Sequence, residues 1–176
     1  MKKFLTKLFM VTVLLTMTTN VNAQKMTYPG VHLGLRVGPT FSSDGVGILG
    51  GLAFDFHLGK NPFYIETGAY FGVIPGLKGY DRDSRRGSDL VPCPMAPVLF
   101  SYHFYLNRNI ALQPFAGGTI GYDLNDDEFL STLRFGIGFN FKRLYLNVGY
   151  DLSYVEDFKQ PSYFFTTLGF NIAGRR

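Results

Sequence analysis

The chain has 176 residues, with Lys+Arg 17 against Asp+Glu 13 and a formal net charge of +4. That length makes one domain able to enclose a core, and 46% hydrophobic residues exclude a disordered chain. Charged residues, at 17%, fall below the roughly 25% usual in soluble domains, and a single Cys excludes an internal disulfide, a Cys-rich zinc site and an iron–sulfur cluster.

Residues 1–23 read as a secretory signal peptide. Lys2, Lys3 and Lys7 form a positive start, and Leu8 to Met17 is an apolar run too short to span a bilayer as a helix. Val21-Asn22-Ala23 fits a cleavage site. The mature domain is then expected at 24–176, and loss of three lysines brings it close to neutrality. The basic pI of the whole sequence is therefore no argument for nucleic-acid binding.

From residue 31 onward the chain alternates with period two, the signature of half-buried strands. In 31–41, Val31, Leu33, Leu35, Val37 and Phe41 oppose His32, Gly34, Arg36, Gly38 and Thr40. In 46–59, Ile48, Leu52, Phe54, Phe56 and Leu58 oppose Gly47, Gly51, Ala53, Asp55 and His57. In 62–73, Phe63, Ile65, Ala69 and Phe71 oppose Tyr64, Glu66, Gly68 and Tyr70. Segment 95–105 sets Val98, Phe100 and Phe104 against Leu99, Ser101 and His103, and 110–122 sets Ile110, Leu112 and Ile120 against Gln113, Phe115 and Thr119. The last three segments, 132–141, 144–154 and 162–172, put Arg134, Asn140, Tyr145, Asn147, Asp151, Tyr163 and Thr167 opposite a face of Leu, Phe, Ile and Val.

Eight such segments, each about 10 residues long, predict an all-β fold: an eight-stranded antiparallel up-and-down transmembrane β-barrel. The apolar face carries no charge in any segment, whereas the other is rich in glycine and holds Arg36, Asp55, Glu66, Arg134 and Asp151. An even number of strands can close the sheet and remove its edges. A soluble barrel with its apolar face inward would expose the glycine-rich set, whose five charges fall short of a soluble surface; a β-sandwich is the remaining alternative. Connections at 59–61, 106–109 and 142–143 read as tight turns facing the periplasm, and those at 42–45, 74–94, 123–131 and 155–161 as longer outward loops. Pro92 and Pro94 flank Cys93 and place the start of the fourth strand near Met95.

Several motifs resemble the PorT-like small outer-membrane β-barrel family of Bacteroidetes. They are Gly-Leu-Arg-Val-Gly at 34–38, Phe63-Tyr64-Ile65-Glu66-Thr67-Gly68, Pro97-Val98-Leu99-Phe100-Ser101-Tyr102-His103-Phe104 and Pro114-Phe115-Ala116-Gly117-Gly118. The resemblance covers nearly the whole mature chain. It implies a barrel in the outer membrane of a Gram-negative envelope, with Phe170 and Ile172 as the signal read by the barrel-insertion machinery, and, as an alternative role, an accessory part in type IX protein secretion.

Candidate chemistry divides three ways. Arg36, Asp55, His57, Glu66, His103, Arg134 and Asp151 are expected in one narrow lumen, as a plug of ion pairs and hydrogen bonds; the alternative is a narrow channel for ions or protons. Eight strands leave room for side chains or one small ligand, which excludes porin-like diffusion. Ser101, His103 and Glu66 could resemble a hydrolytic triad, but they face the lumen rather than a lipid leaflet, so no enzyme is expected. Arg82, Arg85 and Arg86 in the longest loop are expected to contact lipopolysaccharide phosphates or an envelope partner. No cofactor and no nucleic acid are expected. The predicted role is a structural, surface-contact or envelope-assembly component of the outer membrane.

Overall fold

The computed structural model describes residues 31–43, 45–59, 61–75, 90–107, 109–125, 127–153 and 162–173. The signal-peptide segment and Arg82, Arg85 and Arg86 lie outside them. Nine strands follow in order: β1 Val31–Ser42, β2 Gly45–Leu58, β3 Phe63–Pro75, β4 Leu90–Tyr102, β5 Phe104–Tyr105, β6 Ile110–Asp123, β7 Glu128–Phe141, β8 Leu144–Ser153 and β9 Tyr163–Ala173. Each pairs antiparallel with its neighbours, β1 with β9 and β4 with β6, so the sheet closes on itself. β4 and β5 are one stave interrupted at His103, whose N–H donates to the Pro62 carbonyl. The fold is a closed eight-stranded antiparallel β-barrel.

Side-chain direction follows the period-two reading. Arg36 and Arg134 are each 3% exposed and Glu66 is 2% exposed, whereas Phe100 is 61% and Leu168 58% exposed. The orientation is therefore apolar outward and polar inward, and the soluble-barrel arrangement does not occur. Among the strand residues whose side chains are described, every charged one is buried in the lumen and none is exposed on the outer wall. Aromatic pairs gather near both ends of that wall: Phe63 on Tyr102 at 4.8 Å and Tyr102 on Phe104 at 4.4 Å at one end, Tyr122 on Phe129 at 5.1 Å and Tyr150 on Phe164 at 4.6 Å at the other. This is the girdled apolar band of a bilayer-spanning barrel.

Two details of the sequence reading change. The first hairpin is not a longer loop, because its ladder runs to Ser42↔Gly45 and leaves only residues 43–44 between. The fourth strand starts at Leu90, not near Met95. Its prolines are tolerated because 90–94 pair with β3 alone, while the ladder to β6 ends at Met95↔Gly121. Beyond that point the Leu124 N–H donates to the Pro92 carbonyl at 3.2 Å, so that edge of the chain meets a loop and not a strand. Connections at 59–62, 106–109 and 142–143 share one end, here the turn end; those at 43–44, 76–89, 124–127 and 154–162 share the other, the loop end.

Candidate functional site

The lumen is filled in three layers. Nearest the loop end it is apolar: Leu49, Ile74, Cys93, Met95 and Leu130 are all buried and pack as one cluster. Sequence reasoning missed most of this layer. Leu49, Ile74 and Leu130 share the inward phase of their strands, and that parity was the available signal.

The middle layer is ionic and has two centres. In the first, Arg36 on β1 donates from Nη1 to Glu66 Oε1 on β3 and lies with Nη2 3.5 Å from Asp55 Oδ2 on β2. Its guanidinium also covers the Tyr145 ring on β8 at 4.0 Å. Asp55 and Glu66 stand directly opposite in the β2–β3 ladder. Like charges so placed repel, and Arg36 between them offsets that repulsion. Tyr70 donates to Glu66 Oε1 at 3.4 Å, and His32 Nδ1 lies 3.9 Å from Asp55 Oδ2. A glycine makes this reach possible: a Cβ on Gly169 would sit 2.6 Å from the Leu35 carbonyl oxygen and 2.9 Å from Arg36 Cγ. In the second centre Arg134 on β7 holds Asp151 on β8 in a two-point pair, Nε to Oδ1 at 2.7 Å and Nη2 to Oδ2 at 2.6 Å. The same guanidinium lies over the Phe165 ring at 4.7 Å, with the Tyr163 hydroxyl 3.5 Å from Nη2.

Between the centres is a cavity of about 10 Å³, room for about one water molecule. Glu66, Arg134, Asn147 and Thr167 are among its lining residues. Glu66 Oε2, Asn147 Oδ1 and Thr167 Oγ1 are buried without a hydrogen-bond partner.

The turn-end layer holds amides, hydroxyls and imidazoles. A chain of amides crosses it, Asn171 to Asn140 at 3.4 Å, Asn140 to Gln113 at 2.9 Å and Gln113 to the Ser101 hydroxyl at 3.0 Å. Beside it His103 stacks on Tyr64 at 3.9 Å, and the Tyr64 and Tyr105 hydroxyls are 3.2 Å apart. His57 lies toward the rim, its Nε2 2.8 Å from the Asn61 carbonyl oxygen.

The seven lumen residues proposed from sequence therefore sit in three places. Arg36, Asp55 and Glu66 form one cluster, Arg134 and Asp151 a second, and His57 and His103 belong to the turn-end layer. Tyr70, Tyr145 and Tyr163, which complete the ionic centres, were on the inward face in the pattern but had no assigned role. The triad residues part company: Ser101 accepts from Gln113, Glu66 is taken by Arg36, and His103 is stacked on Tyr64. Among the described residues no group of three or more His, Cys, Asp or Glu could hold a metal ion.

Neither a known family's sequence profile nor a curated protein sequence matches the chain. Solved structures do resemble it. A de novo designed transmembrane β-barrel aligns with TM-score 0.50 at 14% identity, over 83% of this chain and 98% of the designed one. The outer membrane protein Ail of Yersinia pestis aligns with TM-score 0.46 at 14% identity in its phospholipid nanodisc form, over 80% of this chain and 99% of Ail. Its complex with the heparin analogue sucrose octasulfate aligns with TM-score 0.47 at 12% identity, over 80% and 96%. At 14% identity the likeness to the designed barrel concerns the fold.

Proposed function

We propose that the chain is an outer-membrane β-barrel whose lumen is a side-chain plug, and that it serves the envelope as a structural, surface-contact or assembly component rather than as a channel or an enzyme. The observation that carries this reading is the pairing of an outer wall on which no described strand residue exposes a charge with a lumen crossed by two buried ion-pair centres. Strands of 10 to 14 residues are long enough to cross a hydrocarbon core when tilted. The signal-like segment 1–23 and the order of the PorT-like motifs support the outer membrane as its place. Within this reading the arginines at 82, 85 and 86 offer a contact for lipopolysaccharide phosphates at the loop end.

The plug has a direct test. Purified protein is reconstituted in a planar bilayer after its band is seen to shift on boiling in a detergent gel. We expect no steady current from the wild-type protein. A steady ion current that changes in Glu66→Gln would overturn the plug and leave a narrow channel in its place.

A further inference from the structure

Charge is divided between the two ends of the barrel. Turn-end connections carry Lys60, Arg108, Lys142 and Arg143 with no acidic residue, and Arg175 and Arg176 follow β9 in the chain. Loop-end connections and their flanks hold ten acids, among them Asp44, Asp81, Asp123 and Glu156, against five bases. The basic residues of the turn end are thus not a share of evenly mixed surface charge.

Two of these cations are described in detail. Lys142 and Arg143 form the whole connection between β7 and β8, and both are exposed. The turn is fixed: Lys142 has φ 54°, its N–H donates to the Asn109 carbonyl at 2.7 Å, and the Arg143 carbonyl accepts from the Asn171 N–H at 2.7 Å. Three neighbouring turn-end segments are thereby tied together. The side chains then fold back onto the outer wall. Lys142 Nζ lies 5.8 Å from the Phe141 ring centre, and the Arg143 guanidinium 6.0 Å from that of Phe170. Both rings point outward from the last turns of the apolar band. A cation over an outward aromatic ring at the edge of that band sits where acyl chains give way to headgroups.

We propose that Lys142 and Arg143, the basic rim of this turn, bind the phosphates of anionic phospholipid headgroups in the leaflet at the turn end. The inference rests on the membrane-spanning reading above. A lipid is favoured over a soluble anion because the cations lie against the wall that lipid covers, not over the mouth of the lumen. Each cation near an anionic surface is worth up to about a 5-fold preference at low salt, less once screened.

The test uses full-length protein in phosphatidylcholine vesicles that carry trace spin-labelled phosphatidylglycerol or spin-labelled phosphatidylcholine. The motionally restricted fraction of each label is compared. We expect several-fold selectivity for phosphatidylglycerol, reduced by 0.5 M salt (a Debye length under about 5 Å) and lost in Lys142→Asn/Arg143→Gln, where Asn tolerates the positive φ. Equal restriction of the two labels, or selectivity unchanged in the variant, would overturn the rim. Selectivity abolished by millimolar inorganic phosphate but unchanged by sodium chloride at the same ionic strength would point to a site for a soluble anion and would also overturn it. Restriction of neither label would instead defeat the barrel reading itself. Should the variant fail to fold, the salt dependence of the wild type decides.

Discussion

The Arg134–Asp151 pair offers the sharpest measure of what holds the lumen closed. Asp151 is fully buried and both of its oxygens accept from Arg134, at 2.7 and 2.6 Å. Two unit charges about 4 Å apart attract by about 4 kcal/mol at an effective permittivity near 20. Stripping water from each ion costs several kcal/mol, so the pair as a whole is near neutral for stability. Removing one partner is different. Asp151→Ala leaves a buried guanidinium with the Tyr163 hydroxyl at 3.5 Å, the Phe165 ring at 4.7 Å and the Tyr70 ring at 5.9 Å, and no carboxylate paired with it. A loss of about 3–5 kcal/mol is expected, which at a slope near 2 kcal/mol/M lowers the urea midpoint by about 2 M. Asp151→Asn keeps one acceptor and should lose less. Arg134→Met/Asp151→Leu removes both charges and should recover most of the loss. The assay is urea unfolding in detergent micelles, followed by circular dichroism and by the unboiled gel band. A midpoint within 0.5 M of wild type for Asp151→Ala, on the order of 1 kcal/mol, would refute the argument, as would a double variant no better than the single one.

Two other outcomes test the wall and the cavity. Val148→Arg places a charge in the middle of the outward face of β8 and should destabilise the vesicle-inserted barrel by about 2–4 kcal/mol; a wild-type urea midpoint in vesicles would remove lipid from that face. A single ordered water is expected beside Glu66, Asn147 and Thr167, donating to the two acceptors and accepting from the hydroxyl. It should appear in a high-resolution crystal structure, and Thr167→Val should cost about 1–3 kcal/mol by the same urea titration; an unchanged midpoint with no density there would exclude it.

How much of this was legible in the sequence depends on how far apart the partners lie in the chain. Strand direction and face were readable throughout, because a side-chain period of two with one apolar face leaves each strand a single workable orientation. Hairpin neighbours were readable too. A two-residue turn at Lys142-Arg143 places Arg134 opposite Asp151 by counting outward; the second hairpin was one residue out, because the connection read as 59–61 runs to Pro62, and only that extra residue sets Asp55 opposite Glu66. Contacts across the lumen were not. Arg36 passes over β2 to reach Glu66 on β3 and covers Tyr145 on β8, a choice set by barrel closure and by the space left at Gly169. The apolar layer at the loop end escaped for another reason: Leu49 and Ile74 obey inward parity but not inward polarity. A barrel this narrow must fill its lumen whatever the chemistry of the filling, so size, not polarity, selects those residues. Polarity is obligatory where charges are buried and need partners. The ionic layer therefore bears on function more directly than the rest of the lumen, and opening a path through this barrel would require breaking Arg36–Glu66 and Arg134–Asp151 together.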